Sequence, residues 1–276
     1  MDWFDAIVLG IVQGLTEVLP ISSSAHVSIV GQLLGGKDPG SAFTAITQLG
    51  TETAVVVYFA KDIGRIISHW FQSLFGRIPR NDPDARMGWL IIIGSLPIGI
   101  LGLLFEDAID STLRNLWITV AMLAGFGLVI GVVDHFAQNR KELKELTIRD
   151  GIVYGFCQAM ALIPGVSRSG GTIAGGLAMG YTREAAARYA FLLAIPAVYL
   201  SGLFKLKDIA AEPSPDWGPV IIATVLAFGI GIAVIHWLLR YISTHNFKPF
   251  VIYRLVLAAV VAALLIFGVL EPLPQA

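Results

Sequence analysis

The sequence predicts an all-α polytopic membrane protein with six transmembrane helices and two re-entrant helical hairpins in an inverted-topology repeat. Hydrophobic residues make up 55% of the 276-residue chain, charged residues only 14%, and the mean hydropathy is +0.73. This composition leaves too few charges to cover a soluble surface. Several apolar stretches approach the length of about 20 residues that a membrane-spanning helix needs. Two further apolar stretches are interrupted near their centres by proline, serine and glycine.

The expected elements follow one another in two similar halves. A first hairpin over 6–36 precedes three spans at 42–59, 87–105 and 116–137, and a second hairpin over 151–182 precedes three spans at 187–204, 217–239 and 249–270. We therefore expect one membrane domain over 1–276, built from a first inverted repeat over 1–145 and a second over 146–276. The acidic residues near Met1 are untypical of a cleavable signal peptide, so the first segment is expected to stay on the protein.

The composition also limits the partners and the chemistry. Nineteen basic residues against twenty acidic residues give a net charge of -1, which offers no basic face to a phosphate backbone. We expect no nucleic-acid partner. The lone cysteine, Cys157, excludes a disulfide framework and a cysteine metal cluster within the chain, and is expected to be a small buried apolar residue.

Each interrupted stretch contains one full charge beside its break. Glu17 precedes the break formed by Pro20 and the serines at 22–24, and Arg168 lies within the break at 164–171. Proline removes a helix hydrogen bond, and serine and glycine favour caps and turns, so each stretch is predicted to form two half-helices. Half-helices of roughly 10 to 14 residues are too short to cross the lipid bilayer. Their irregular ends need protein or a water-filled cavity around them.

Two patterns indicate that the halves are inverted. Gln13 and Gln158 occupy matching positions in similar segments 145 residues apart, and three spans after each hairpin would give the halves opposite orientations. If the loop over 61–86 is cytoplasmic, fourteen basic residues, Arg254 among them, lie on that side and four on the other. Both termini and the loops around Asp110 and Glu212 are then outside.

The first break collects groups that suit nucleophilic chemistry. If a half-helix restarts after the break, His26 lies about one turn from Ser22 and Ser23, so a nucleophile and a base could touch. Alternatively, the serines only cap the half-helix. A charged side chain such as that of Glu17 costs free energy within the membrane, and its presence there favours a functional role.

The second break resembles a binding site for an anion. Its glycines allow backbone N–H groups to converge, Ser167 and Ser169 add hydroxyl donors, and a half-helix from Thr172 would present the positive end of its dipole. Arg168 adds a planar fork that matches phosphate oxygens. The alternative is a plain ion pair in which Arg168 only neutralises Glu17.

These breaks also carry a resemblance to a known family. GLTE at 14–17, LPISSSAH at 19–26 and PGVSRSG at 164–170 resemble the two signature motifs of the undecaprenyl-diphosphate phosphatases, the bacitracin-resistance integral membrane family. QLG at 48–50 and PFVIYR at 249–254 follow in the family's order. The family's first motif often begins with a glutamate where this chain has Gln13, which leaves Glu17 as the main acidic group. Glu52 has no place in the family pattern, and both a second ligand role and a cavity-facing role stay open.

The resemblance implies hydrolysis of undecaprenyl diphosphate to undecaprenyl phosphate and inorganic phosphate in the bacterial plasma membrane. This reaction recycles the lipid carrier of peptidoglycan and other cell-wall polymers and confers bacitracin resistance. The expected cofactor is a divalent cation, Mg²⁺ or Ca²⁺, held by Glu17, and the expected partners are the polyprenyl diphosphate and membrane lipid, with a homodimer left open. The implied catalytic residues are Glu17, Ser23, His26 and Arg168, and the implied substrate-binding residues are Gln13, Ser22, Ser24, Ser167, Ser169 and Thr172. Which of Ser23 and His26 is nucleophile and which is base stays open.

Two other function classes compete with the phosphatase. Inverted repeats with broken helices are typical of transporters, so the chain could be a transporter or flippase for an anionic polyprenyl lipid. A carrier needs charge compensation but no nucleophile, and the serines and histidine beside Glu17 therefore favour the phosphatase. A structural scaffold would leave Glu17, His26 and Arg168 unexplained.

Overall fold

The computed structural model describes residues 2–35, 40–210 and 217–273. These residues form helices and connecting turns, and their one β-contact is an isolated bridge between Lys141 and Tyr181. The helices, in chain order, are α1 Trp3–Thr16, α2 Ser23–Gly35, α3 Gly40–Tyr58, α4 Ala60–Leu74, α5 Pro83–Leu104, α6 Glu106–Asp110, α7 Leu116–Phe136, α8 Ile148–Ala159, α9 Arg168–Ala178, α10 Arg183–Ala210, α11 Trp217–Ile242 and α12 Lys248–Ile266. The prediction of an all-α polytopic membrane protein is confirmed.

Five helices in the described part of the chain, α5, α7, α10, α11 and α12, are long and apolar enough to cross a membrane. They correspond to five of the six predicted spans. The sixth prediction, over 42–59, coincides with α3, which is less apolar because it carries polar residues at 44, 47, 48 and 51–53. Four of these polar residues are buried, and α3 packs against α10 and α11, so protein covers much of its surface. The buried polar residues of α3 are Thr44, Thr47, Thr51 and Glu52.

Helix α4 lies in the segment expected to be a loop over 61–86. It is amphipathic and packs against α5, where the Trp70 and Trp89 rings meet edge to face with centroids 5.4 Å apart. Asp82 caps α5 by accepting from the backbone N–H groups of Asp84 and Ala85, and it pairs with His69 at 2.9 Å. The hydrogen bond from His69 holds the pKa of Asp82 below its ordinary value. His69, Asp82 and Asp84 form a cluster of potential metal ligands, and none of the three is a predicted site residue. The helix cap already occupies the Asp82 carboxylate.

Hydrogen bonds and ion pairs of side chains connect the predicted cytoplasmic loops at one end of the helix bundle. Arg188 of α10 bonds Asp62 of α4 at 2.7 Å. Asp134 near the end of α7 accepts from Arg183 at 2.6 Å and from the backbone N–H of Phe247 at 2.9 Å. These bonds join the ends of four helices, so the basic loops share one face of the protein.

The opposite end holds the other loops and the C-terminal segment. Lys205 near the end of α10 donates to Glu106 at 3.0 Å and to Asp110 at 2.5 Å. The backbone N–H of Glu271 donates to Gln32 of α2 at 3.1 Å. Lys37 and Glu212, which were predicted for this side, lie outside the described residues.

The two hairpins, α1 with α2 and α8 with α9, enter from opposite ends. The start of α1 packs beside the start of α11, and Tyr181, just beyond α9, pairs with Lys141 at the basic end. Each first half-helix packs on a long helix of the other half, α1 on α11 and α8 on α5. In each pair, the two helix backbones approach most closely at a glycine, and Gly10 and Gly155 are at equivalent positions. A Cβ at Gly10 would lie 2.6 Å from Ala223, and one at Gly155 would lie 2.6 Å from the Gly94 carbonyl. The repeat boundary near residue 145 stays a prediction.

Two details differ from the sequence-based expectation. Arg254, counted among the cytoplasmic loop charges, is fully buried within α12, so thirteen basic residues remain on that side against four. Helix α9 begins at Arg168 and not at Thr172, because the Ser167 hydroxyl caps it by accepting from the Gly170 N–H at 3.1 Å.

Candidate active site

The two hairpin tips share an unusual backbone geometry. Ser22 and Ser167 have φ values of 74° and 73° and lie 145 residues apart, each directly before a half-helix. Positive φ is uncommon outside glycine and is costly for an L-residue. In each tip the serine hydroxyl lies near that of the serine two positions on, 3.2 Å for Ser22 with Ser24 and 3.1 Å for Ser167 with Ser169. Retained strain of this kind is typical of functional sites.

Glu17 joins the two tips. It ends α1, is 9% exposed, and uses both carboxylate oxygens. Its Oε2 accepts from Gln13 Nε2 at 2.7 Å and from the Ser23 hydroxyl at 2.5 Å, while its Oε1 pairs with the Arg168 guanidinium. The structure thus brings the two predicted charges into contact and places a hydroxyl on the same carboxylate.

The second tip contributes structural hydroxyls around Arg168. Ser169 donates to the Leu19 carbonyl of the first tip at 2.9 Å, and Thr172 donates to the Arg168 carbonyl at 2.7 Å. Together with the Ser167 cap, these bonds fix the turn. The Arg168 side chain is 14% exposed, so its guanidinium is the group of this tip best placed to meet an anion.

His26 contacts the first tip from the other side. Its Nδ1 donates to the Ser22 carbonyl at 2.7 Å, since a carbonyl oxygen only accepts, and Nε2 of the neutral ring then accepts from the Tyr253 hydroxyl at 2.7 Å. The two rings are stacked with centroids 5.6 Å apart. The Ser23 hydroxyl is therefore bonded to Glu17, whereas His26 holds the turn that precedes Ser23.

Arg254 is a residue of the site that the sequence analysis placed in a loop. It is fully buried, and its guanidinium donates to carbonyls of both tips and of α7 at 2.7 to 3.2 Å. The carbonyls are those of Pro20, Gly165, Val166, Met122 and Leu123. Its presence inside an apolar stretch was the signal that could have identified it.

A small cavity of about 20 Å³ lies between the tips and the core helices. Glu17, Arg168 and Ser169 line one side, and Glu52 of α3 reaches it from another. Glu52 is 2% exposed, and its Oε1 has no hydrogen-bond partner in the described part of the chain. Glu52 has no place in the sequence motifs, but in the structure it lies beside the predicted site.

The chain also matches a known protein family. The family described as "Bacitracin resistance protein BacA" matches residues 6–260, which include both tips, α3 and Arg254. The chain belongs to the BacA family.

BacA relatives match over nearly the full chain. The undecaprenyl-diphosphatase of Micrococcus luteus is 59% identical over 276 residues, which cover 98% of this chain and 100% of the relative. Undecaprenyl-diphosphatase 2 of Streptomyces coelicolor is 56% identical over 284 residues, 99% of this chain and 98% of the relative. The undecaprenyl-diphosphatase of Kineococcus radiotolerans is 59% identical over 263 residues, 95% of this chain and 93% of the relative.

Proposed function

We propose that this protein hydrolyses undecaprenyl diphosphate to undecaprenyl phosphate and inorganic phosphate in the bacterial plasma membrane. The reaction recycles the lipid carrier of cell-wall synthesis and thereby confers resistance to bacitracin. BacA family membership and the names of the full-length relatives support this function. The structural observation that carries it is the Ser23 hydroxyl bonded to Glu17, whose other oxygen pairs with Arg168.

Substrate binding uses the charge and the dipoles that converge on the tips. A diphosphate is larger than the 20 Å³ cavity, so the side chains that line the cavity must move when it binds. The Arg168 guanidinium then turns from Glu17 to the phosphate oxygens, because a diphosphate offers more acceptors than one carboxylate. Helices α2 and α9 begin at Ser23 and Arg168, so their positive N-terminal ends both lie at the site. The prenyl chain stays among the apolar surfaces of the spanning helices.

Ser23 is the nucleophile, and Glu17 is its base. The Ser23 oxygen attacks the terminal phosphorus as Glu17 Oε2 takes the hydroxyl proton, and the bond from phosphorus to the bridging oxygen breaks. Undecaprenyl phosphate leaves with the electron pair of that bond. Water then attacks the phosphorus of the phosphoserine, and the bond from phosphorus to the Ser23 oxygen breaks. Glu17 returns its proton to that oxygen, and inorganic phosphate leaves. His26, anchored by Tyr253, is a positioning residue that fixes the turn before Ser23.

Charge stabilisation supplies most of the remaining barrier reduction, as is general for phosphoryl transfer. Arg168 faces the oxygens on which charge develops. A divalent cation, Mg²⁺ or Ca²⁺, fits the carboxylate-lined cavity because both ions prefer oxygen ligands, and the Glu17 carboxylate would hold it. Such an ion would supply positive charge next to the phosphate oxygens.

We also propose that both termini lie outside and that the first hairpin opens to the outer face. The thirteen basic residues on the other side support this orientation, as does the clustering of their loops at one end of the bundle. The proposed reaction then occurs at the outer face of the plasma membrane.

Phosphate release from a defined C55 polyprenyl diphosphate by the purified protein in detergent tests the proposed function. We expect release of one phosphate per lipid in the presence of Mg²⁺ or Ca²⁺ and its loss in chelator. If the protein binds the lipid, moves it across reconstituted vesicles and releases no phosphate, the flippase reading replaces the phosphatase.

A further inference from the structure

Glu52 is an acidic side chain at the site for which the proposed chemistry gives no role. It lies on α3, a helix separate from both hairpins, and is 2% exposed. Its Oε1 has no hydrogen-bond partner within the described residues, although an unpaired buried polar atom is costly. A carboxylate kept under these conditions indicates a ligand that compensates it.

The two glutamates of the cavity differ in what they can offer a ligand. Glu17 has both oxygens bonded to protein groups, namely Gln13, Ser23 and Arg168. Glu52 lines the same cavity and keeps one oxygen without such a bond. The first hairpin contributes only one carboxylate here, because the neighbour of Glu17 at position 13 is an amide.

The charges of this cavity suit a dication. The charged groups that line this cavity are Glu17, Glu52 and Arg168, so the lining carries an excess of one negative charge when both carboxyl groups are ionised. A hard cation with carboxylate and water ligands balances such a cluster, and the cavity has room for a species the size of a water molecule.

We propose that Glu52 is the second carboxylate ligand of the divalent cation and that it binds the ion together with Glu17. The proposal rests on the proposed function, because it assigns the ion to the phosphatase site. The proposal also explains why α3, the most polar of the predicted spans, contains a buried acidic residue. Helix α3 supplies the second carboxylate of the metal site, which the hairpins lack.

Mn²⁺ binding to the purified, substrate-free protein in detergent, followed by electron paramagnetic resonance, tests this assignment without turnover. Glu52→Gln keeps the shape and removes the charge, and it should weaken Mn²⁺ binding by at least about tenfold, as loss of a metal-site group typically does. Glu184→Gln is the matched control, since it removes an acid from the half-exposed start of α10, and its Mn²⁺ affinity should equal that of the unchanged protein.

Two further variants exclude a general loss of structure as the cause. In the unchanged protein Gln13 Nε2 lies 2.7 Å from Glu17 Oε2, so Gln13→Glu places a second carboxyl group beside Glu17. The double variant Gln13→Glu with Glu52→Gln should therefore recover most of the lost affinity. Glu52→Asp keeps the charge but shortens the side chain by one methylene, and it should bind Mn²⁺ more weakly than the unchanged protein and more tightly than Glu52→Gln. If Glu52→Gln cannot be purified, the aspartate variant decides.

The outcomes separate the two proposals. Unchanged Mn²⁺ affinity in Glu52→Gln, or in Glu52→Asp where only that variant is obtained, overturns the role of Glu52 even if phosphate release continues. A chain that binds Mn²⁺ through Glu52 but releases no phosphate from the lipid with any cation leaves the ligand assignment standing and overturns the proposed function.

Discussion

Ser22 and Ser167 adopt the same left-handed backbone conformation at equivalent places in the two hairpin tips, with φ values of 74° and 73°. Each holds the hydroxyl of the serine two positions on, and each precedes the first residue of a half-helix. Positive φ is uncommon for residues other than glycine, so its occurrence at two equivalent serines is a shared feature of the two halves. The relationship indicates that the tips are built alike in order to aim Ser23 and Arg168 at one point.

The strain at Ser22 predicts an unusual order of stabilities. Ser22→Gly and Ser22→Ala both remove the hydroxyl, but only glycine accepts positive φ without steric cost. The alanine variant should therefore be less stable than the glycine variant by about 1 kcal/mol. Thermal unfolding of both variants in the same detergent measures the difference, and an alanine variant as stable as the glycine variant would show that the turn is not strained.

Arg168 should act mainly in the transition state. Arg168→Lys keeps a positive charge but loses the planar fork, so turnover should fall by about a hundredfold with a smaller change in KM. Steady-state kinetics on the lipid diphosphate provide the measurement.

The plain ion-pair alternative makes the opposite prediction for Arg168. If it only neutralises Glu17, the lysine variant is nearly normal, and Glu17→Gln combined with Arg168→Gln recovers the yield lost in either single variant. A nearly active lysine variant would rule out the phosphate clamp.

Arg254, in contrast, should matter for stability. Its guanidinium donates to five carbonyls that belong to both tips and to α7, and Arg254→Met leaves those acceptors buried without donors. We expect a loss of roughly 3 to 5 kcal/mol, seen as a lower Tm and a lower extracted yield. Arg188→Gln, at a partly exposed ion pair, is the control and should cost about 1 kcal/mol or less. Equal Tm shifts in the two variants would contradict a tip-joining role for Arg254.

Some features of the fold and of the site could be predicted from short segments of the sequence. The hairpins followed from breaks within apolar stretches, and Glu17 and Arg168 stood out because each was the one full charge beside its break. Arg254 was assigned to a loop because it lies near the start of an apolar stretch. Counting basic residues in the sequence does not show whether such a side chain is buried in the protein or exposed in the loop. Only the packing of α12 on α7 shows where its guanidinium points.

Other features depend on contacts between distant segments. The bond from Ser23 to Glu17 could not be distinguished in advance from one to His26, because both partners lie within reach of a restarted helix. The place of Glu52 depends on how α3 packs against α10 and on where the tips end, neither of which a single apolar stretch encodes. Helix α4 was missed because its charges conceal an amphipathic pattern inside a basic loop.

The proposed orientation predicts which loops are accessible from outside. In a Cys157→Ala background, a single cysteine at Asp110 should react with a membrane-impermeant thiol reagent in intact cells, and one at Arg80 should react only after permeabilisation. Arg80 precedes the candidate spanning helix α5 and Asp110 follows it, so the two positions report on opposite ends of the bundle. Labelling of Arg80 in intact cells at the level of Asp110 would invert the topology.

The most direct test of the central claim, that the Ser23 and Glu17 pair performs the hydrolysis, is single-turnover phosphate release from terminally labelled polyprenyl diphosphate. Ser23→Ala should lower the rate by about a thousandfold or more, and Glu17→Gln should do so comparably, because each removes one half of the activated nucleophile. Ser95→Ala, on α5, where the hydroxyl donates to the Ile91 carbonyl of the same helix, should retain most of the rate. If Ser23→Ala releases phosphate at a rate near that of the unchanged protein, Ser23 is not the nucleophile and the account is wrong.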